Sequence, residues 1–317
     1  MLKSILMVTM LVTNLSVTED AYEEYLGYKV VEQGIVSDSL ATIWNAEEMI
    51  DHPYTIMQPE SGAEVYLRFI EDKQTTNYKP VGTHGWNSTE ILVEDPDNLA
   101  KELVNSPFEI IGMPYDLYPT PDAPRAMQVL GPSEEMVYLT RIIPEGSGFN
   151  LGSAQSYVDR VFIMVVGGPS MEDLQNYYRD TFDMPVTEAS DWTIGVISRL
   201  NDLPEDTTYP LAVAEFEKDF LIELDEYPTD SCQFFFFSLI KICEEAIVAR
   251  EVAEGHLPPS TSVVSFYVDS LDEIDVTWRK EPTVIDSFPY NNRRVGVTIG
   301  VAGESVSYTH LTLPTKA

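Results

Sequence analysis

The chain has 317 residues, about two domains at the usual ~150 residues each, and its 44% hydrophobic content excludes wholesale disorder. The 19 Lys and Arg against 52 Asp and Glu give a formal net charge of −33, which repels phosphate backbones and anionic lipid heads and argues against nucleic-acid and membrane partners. Two cysteines and four histidines are too few for a disulfide framework or for a site built from several histidines.

An apolar run over residues 5–13 opens the chain and predicts a β-strand, because it is rich in Ile, Val, Leu and Thr. A secretory signal is the alternative, but Lys3 is the only basic residue before the run and no small-x-small cleavage site follows it. No apolar stretch reaches the ~20 uncharged residues that a membrane span needs. These features predict a cytoplasmic protein.

Two helix starts follow strand-like runs in the first half of the chain. Ser16-Val-Thr-Glu19 has the spacing of a capping box, and Gly27 supplies the stop of the helix that it opens. Asp95-Pro96 reads as an N-cap followed by proline at the first helical position, after the run over residues 88–93. Each start therefore predicts a strand followed by a helix.

Two more helix starts lie in the second half, at Ser170 and Ser270, after apolar runs over residues 161–166 and 262–268. Each serine has an acidic residue three positions on, as in a capping box. The predicted helices extend to Phe182 and to Trp278. The four starts recur at about 75 residues, except that the third interval is about 25 residues longer.

Strand-like runs follow each predicted helix. They cover residues 28–35, 54–58 and 63–70 in the first unit, 126–130 and 135–143 in the second, 192–198, 211–216 and 219–224 in the third, and 283–287 and 295–301 in the fourth. The repeated unit is therefore predicted to be βαβββ.

Two segments depart from this repeat. Residues 230–255 hold the surplus of the third interval and include the apolar run Cys232-Gln-Phe-Phe-Phe-Phe-Ser-Leu-Ile-Lys-Ile-Cys243, for which an added helix on the sheet and a frame error are the two interpretations. Residues 306–317, with the run Ser307-Tyr-Thr-His-Leu-Thr-Leu-Pro-Thr315, resemble the in-frame translation of a sequencing adapter. A non-native tail there predicts that the last strand of the fourth unit is missing.

The repeat and the sequence segments within it resemble the vicinal oxygen chelate superfamily, which includes glyoxalase I, extradiol dioxygenases and bleomycin-resistance proteins. The resemblance rests on Tyr22-Glu-Glu-Tyr-Leu-Gly-Tyr-Lys-Val-Val31, its weaker repeat Tyr177-Tyr-Arg-Asp-Thr-Phe-Asp183, and Gly85-Trp-Asn-Ser-Thr-Glu-Ile-Leu-Val-Glu-Asp95. It implies an α+β fold of four βαβββ modules paired into two glyoxalase/dioxygenase-like domains. The expected bounds are 1–146 and 157–305.

The resemblance also implies a cleft in each domain that holds a divalent metal (Fe, Mn, Zn or Ni) on the first and last strands of its units. Glu223 matches the acidic ligand position of a last strand, whereas the first-strand positions of all four units hold no competent ligand. Binding without any metal therefore stays open. Candidate substrate-binding residues on second-unit strands are Asn87, Glu90, Gln128 and Tyr138.

Two functional hypotheses follow. In the first, the protein acts on a small organic molecule as a metal-dependent lyase or dioxygenase. In the second, it sequesters a small-molecule ligand without a metal, as resistance-type members of the superfamily do. A homodimer is compatible with either hypothesis.

Overall fold

The computed structural model describes residues 2–73, 78–227, 231–235, 240–244 and 247–310. Two eight-stranded mixed sheets form the framework of the described part of the chain. We call the sheet built from the first and fourth units sheet I, and the sheet built from the second and third units sheet II.

The first unit contains four strands and two helices. They are β1 (Leu2–Val12), α1 (Leu15–Leu26), β2 (Lys29–Ile35), α2 (Asp38–Trp44), β3 (Pro53–Gln58) and β4 (Tyr66–Glu71). The N-cap of α1 is Asn14, whose side chain accepts the Val17 N–H, rather than the predicted Ser16. Gly27 ends the helix with φ 68°, as predicted, since glycine adopts this left-handed conformation without a Cβ clash.

The second unit follows the predicted order and adds one strand. It consists of β5 (Gly85–Val93), α3 (Pro96–Leu103), β6 (Glu109–Asp116), β7 (Arg125–Leu130) and β8 (Met136–Arg141). The Asp95 carboxylate accepts the Asn98 N–H at 3.0 Å, which confirms the predicted cap.

The third unit contains four strands and two helices. They are β9 (Val158–Gly168), α4 (Met171–Phe182), β10 (Ser190–Thr193), α5 (Gly195–Leu200), β11 (Thr208–Glu215) and β12 (Leu221–Glu226). Ser170 caps α4 as predicted, because its hydroxyl accepts the Asp173 N–H. The strand predicted over residues 192–198 is wrong beyond Thr193, where α5 begins and buries Val196 and Ile197.

The long interval after β12 lies partly outside the described residues. Its described part contains β13 (Ser231–Phe235) and β14 (Ile240–Glu244), which pair antiparallel in a sheet of their own. These two segments are strands, so the added-helix interpretation is wrong for them. The frame-error interpretation stays a prediction.

The fourth unit contains β15 (Thr261–Val268), β16 (Lys280–Ile285), β17 (Arg293–Ile299) and β18 (Ser305–His310). Its predicted helix is reduced to one 3-10 turn, Leu271–Glu273, since the β-branched Ile274, Val276 and Thr277 favour extended backbone. The predicted loss of the last strand is wrong for residues 305–310, because β18 pairs with both β15 and β17. The rest of the adapter-like tail, residues 311–317, lies outside the described residues.

Hydrogen bonding joins the outer two units and the inner two units of the chain. Sheet I has the order β16-β17-β18-β15-β1-β4-β3-β2, and sheet II has the order β10-β11-β12-β9-β5-β8-β7-β6. In each sheet the first strands of two units pair antiparallel, β1 with β15 and β5 with β9. The predicted domain bounds, 1–146 and 157–305, place neighbouring units in one domain, whereas each sheet combines the units named above. As a division of the chain into domains they stay a prediction.

The main core lies on one face of the sheets, which we call the helix face. One cluster of buried side chains includes helix residues such as Tyr22 of α1, Leu99 of α3 and Tyr178 of α4. These pack against residues of both sheets. The Tyr28 hydroxyl ties the sheets together by donating to the Asp159 carbonyl at 2.7 Å. Among the described residues, none of the helices has both the length and the apolar composition needed to cross a membrane.

The opposite face of each sheet, the cleft face, receives one of the two short helices. Helix α2 packs on the cleft face of sheet I against β16 and β17, and it buries Leu40, Ile43 and Trp44 there. Helix α5 packs on the cleft face of sheet II near Tyr138 and Tyr209. A second cluster on the same face, which includes Leu92, Ile163 and Leu221, remains separate from α5 and surrounds a cavity.

Candidate functional site

A cavity of about 120 Å³ lies on the cleft face of sheet II. Its wall is mostly apolar, with Glu90, Thr140, Ser147 and Glu223 as polar members. Tyr118 and Trp192 also line it, and their rings contact each other edge-on with centroids 5.8 Å apart. A cavity of roughly 150 Å³ holds one benzene molecule, so this cavity has the size of about one ring.

Strand register brings three of the four candidate substrate-binding residues into one row. Glu90 on β5 is the partner of Tyr138 on β8, and Tyr138 is the partner of Gln128 on β7. Register partners on adjacent strands lie on the same face of a sheet about 4.8 Å apart. Glu90 lines the cavity, whereas Tyr138 and Gln128 continue the row away from it.

Asn87, the fourth candidate, lies apart from this row. The register of β5 shifts between Trp86 and Ser88, and the Asn87 amide donates to the Gly85 carbonyl at 2.9 Å. A Cβ on Gly167 would lie 2.8 Å from the same amide and against the ring of Tyr227. Asn87 is therefore packed near the Gly167 end of β9 and does not line the cavity.

Glu223 reaches the cavity from the other side of β9. Ile163 on β9 is the partner of both Glu90 on β5 and Leu221 on β12, and Glu223 follows Leu221 by two residues on the same face. Two carboxyl groups from different units therefore line one cavity. Asp225 lies on the same face, again two residues further along β12, and is fully buried.

Burial raises the pKa of all three carboxyl groups. It raises the pKa of Glu90 to about 7, against the opposing effect of the Thr140 hydroxyl, and that of Asp225 to about 8. Burial, followed by the charges of Asp225 and Glu90, raises the pKa of Glu223 well above its ordinary value. The group therefore retains protons near neutral pH, so its carboxyls can donate as well as accept hydrogen bonds.

Sequence reasoning missed Asp225, Thr140 and the two rings at the cavity. Asp225 could have been predicted from the sequence. The segment Leu221-Ile-Glu-Leu-Asp-Glu226 alternates apolar and acidic residues, which places the carboxyl groups of Glu223 and Asp225 on one face of the strand. Tyr118 and Trp192 had no such signal. Tyr118 lies in a loop after β6, and Trp192 lies on the short, exposed edge strand β10.

The residues on the cleft faces do not fit the divalent metal that the resemblance implies. In sheet II the central first and last strands provide Glu90, Glu223 and the Thr140 hydroxyl, with the apolar Ile163 between them. Over the described ranges, no three His, Cys, Asp or Glu side chains are grouped so as to hold a metal ion. Protein-bound divalent ions of this kind take at least three such ligands.

The corresponding row of sheet I has no acidic side chain. Thr9 on β1 is the partner of Arg68 on β4 and of Val263 on β15, and Val263 is the partner of Ser305 on β18. A guanidinium therefore stands where a metal ligand is expected, and a cation is disfavoured there by its charge.

Comparison with protein-family models and with curated proteins gives no match to the sequence. Solved structures do match over nearly the whole chain. A Glu-to-Gln variant of glyoxalase I from Zea mays has a TM-score of 0.63 at 13% identity, covering 97% of this chain and 93% of that one. A candidate dioxygenase from Bacillus subtilis has a TM-score of 0.58 at 9% identity, covering 98% and 85%.

The chain has the vicinal oxygen chelate fold. Four modules paired into two glyoxalase/dioxygenase-like domains are thereby confirmed as its α+β architecture. At such low identities the likeness extends to the fold alone, and one fold hosts many chemistries. The function must therefore be argued from the cavity of sheet II and its carboxyl groups.

Proposed function

We propose that the protein binds a small organic molecule of about one ring in the cavity of sheet II, without a metal ion. The proposal rests on the observation that Glu90 and Glu223, from two different units, line one largely apolar cavity. An apolar cleft with a few convergent polar groups of perturbed pKa is the usual form of a small-molecule site.

The chemistry of the wall defines the ligand. Apolar side chains such as Ile163, Leu221 and Phe149 favour a flat or compact hydrocarbon body. The carboxyl groups of Glu90 and Glu223 favour a polar end that both donates and accepts hydrogen bonds, such as a hydroxyl or an amino group. A carboxylate on the ligand is disfavoured, because the acidic side chains already raise one another's pKa.

A metal-dependent lyase or dioxygenase is the second candidate, and it rests on the fold of glyoxalase I and of the Bacillus subtilis protein. It requires the two carboxylates of Glu90 and Glu223 to suffice as protein ligands. The donor set of the cavity favours metal-free binding over this alternative. A homodimer and a cytoplasmic location stay predictions from the sequence.

The test is a screen of one-ring phenols, alcohols, anilines and benzylamines by ligand-observed NMR, followed by calorimetric titration of the binders. Glu90→Gln and Glu223→Gln are each expected to weaken binding about twofold to tenfold, as for loss of one hydrogen bond between neutral groups. Glu135→Gln is the matched control, since Glu135 is also buried with a pKa of about 7 but does not line the cavity.

Two outcomes contradict the proposal. One is that no compound binds, or that the control variant weakens binding as much as Glu223→Gln does. The other is that titration with MnCl₂, NiCl₂ or ZnCl₂ detects an ion that both cavity variants lose and that ligand binding requires. That second result would favour the metal-dependent candidate.

A further inference from the structure

The cleft face of sheet I contains a fully buried arginine. Arg68 on β4 has 0% of its surface exposed. Its guanidinium carbon lies 5.5 Å from the ring centroid of Trp44, 5.4 Å from that of Tyr54 and 5.7 Å from that of Tyr290. The three rings belong to α2, to β3 and to the loop before β17, so both units of the sheet enclose the charge.

The donors of Arg68 are largely without acceptors. One of its terminal N–H groups, at Nη2, donates to the Phe288 carbonyl at a long 3.3 Å. Its Nε and Nη1 have no hydrogen-bond partner. Among the described residues, no carboxylate lies within 4.0 Å of the guanidinium. The ring faces stabilise the charge by about 0.5–2 kcal/mol, but they do not replace in-plane acceptors.

Two neighbouring donors are also unsatisfied. Thr9 is the strand partner of Arg68, and its hydroxyl is buried without a partner. The indole N–H of Trp44, the ring that lies against the guanidinium, is likewise buried without a partner. Four donor positions on three adjacent side chains therefore face no acceptor. Buried polar groups in folded proteins are paired as a rule, so such a group of donors indicates an ion or a water that completes it.

We propose that a small monovalent inorganic anion, of the size of chloride or bromide, binds beside Arg68 on the cleft face of sheet I. The anion accepts from one of the two free donors of Arg68, Nε or Nη1, which lie on opposite edges of the guanidinium, and from the Thr9 hydroxyl or the Trp44 indole. An unpaired buried charge costs several kcal/mol, and an anion removes this cost where a neutral water does not. Its small size follows from the complete burial of Arg68 and Trp44 beneath α2.

The two cleft faces would then take ligands of opposite character. The cavity of sheet II presents carboxyl groups, and the site in sheet I presents only donors. The anion site is independent of the proposed ligand of sheet II, because none of its residues lines that cavity.

The experiment compares thermal unfolding in 0.5 M sodium chloride and in 0.5 M sodium gluconate, whose anion is too large for the site. We expect the wild-type midpoint to be about 2–6 °C higher in chloride, as for a ligand that binds only the folded state. Arg68→Met is expected to remove this difference. Arg125→Met is the matched control, since Arg125 pairs with Asp97 and Asp116 at the surface, and its chloride effect should stay.

Crystals of the wild-type protein grown in sodium bromide provide a second measurement that does not depend on a variant. An anomalous peak about 3.3 Å from Nε or Nη1 of Arg68 is expected. A water at that position, equal midpoints in the two salts, or loss of the chloride effect in Arg125→Met as well would each overturn the proposal.

Discussion

Replacing Glu304 by glutamine should stabilise the protein relative to the wild type at alkaline pH and have little effect at acid pH. Glu304 precedes β18 and is 2% exposed. Its Oε2 accepts the Ala302 N–H at 2.8 Å, and its Oε1 accepts the Tyr178 hydroxyl at 3.4 Å. Burial raises its pKa from 4.5 to about 7, although the backbone N–H groups and Tyr178 oppose the shift.

The magnitude follows from linkage between protonation and folding. Because the folded protein holds this proton more tightly than the unfolded chain, the contribution of Glu304 is fully present below about pH 4.5 and is lost as the pH rises through about 7. The separation of the two pKa values corresponds to about 3 kcal/mol of unfolding free energy. Glutamine keeps the shape and an acceptor for Ala302 but cannot ionise. Glu304→Gln should therefore exceed the wild type by up to about 3 kcal/mol at pH 8 and by less than about 1 kcal/mol at pH 5.

The assay is urea denaturation followed by tryptophan fluorescence at pH 5, 6, 7 and 8 and at constant ionic strength. Glu60→Gln, at an exposed position, removes the same formal charge and should show no such trend. Glu135→Gln should reproduce it, since the Glu135 carboxylate accepts the Ser133 N–H and burial raises its pKa to about 7. A difference between Glu304→Gln and wild type that is constant from pH 5 to 8 would refute the reasoning.

Three further predictions concern packing, the link between the sheets, and charge. Gly131→Ala should lower the unfolding free energy by about 1–3 kcal/mol in urea, because the new Cβ would lie 1.9 Å from Oε1 of Glu135; an unchanged midpoint would show that the carboxyl moves freely. Tyr28→Phe should cost about 1 kcal/mol, since it removes the buried bond to the Asp159 carbonyl, and no loss would mean that this bond adds nothing. Raising salt from 0.1 to 1 M should raise the unfolding midpoint, because the net charge of −33 is then screened; a flat response would show that repulsion among the acidic side chains does not limit stability.

Local chemistry made much of the secondary structure predictable. Asp95 and Ser170 each satisfy an N–H three residues on, so the cap can be read from adjacent residues alone. Ser270 shows the limit of that signal. Its hydroxyl does accept the Asp272 N–H, yet a single 3-10 turn follows and the chain leaves it at Ile274 in an extended conformation. A cap marks where a helix can begin, whereas packing and propensity decide whether it continues.

The pairing of the units could not be read in the same way. All four first strands are buried on both faces over most of their length, so β1 carries no mark that selects β15 over β5 as its neighbour. The helix α2 was also missed, because seven residues give too short a pattern for a periodicity argument. That helix fills the cleft of sheet I, which is why the two clefts of this chain are chemically unlike.

The candidate site was predictable in part. Glu223 and Glu90 were read from strand positions, and both line the cavity. Asn87 was read from the same strand as Glu90, but a register shift beside it directs its amide toward Gly85 and Gly167. An irregularity of one residue reverses the face of a strand side chain, and the sequence pattern does not reveal it.

The order of the strands has a consequence for synthesis of the chain. Sheet II is nested within sheet I, since β5 to β12 are contiguous whereas β1 and β15 are separated by about 250 residues. At roughly 5–20 residues per second, β1 leaves the ribosome tens of seconds before its partner, with a long apolar edge that invites association. We expect pulse-labelled hydrogen exchange during refolding to protect the amides of β5 and β9 before those of β1 and β15. Simultaneous protection would mean that the nesting does not order the assembly of the two sheets.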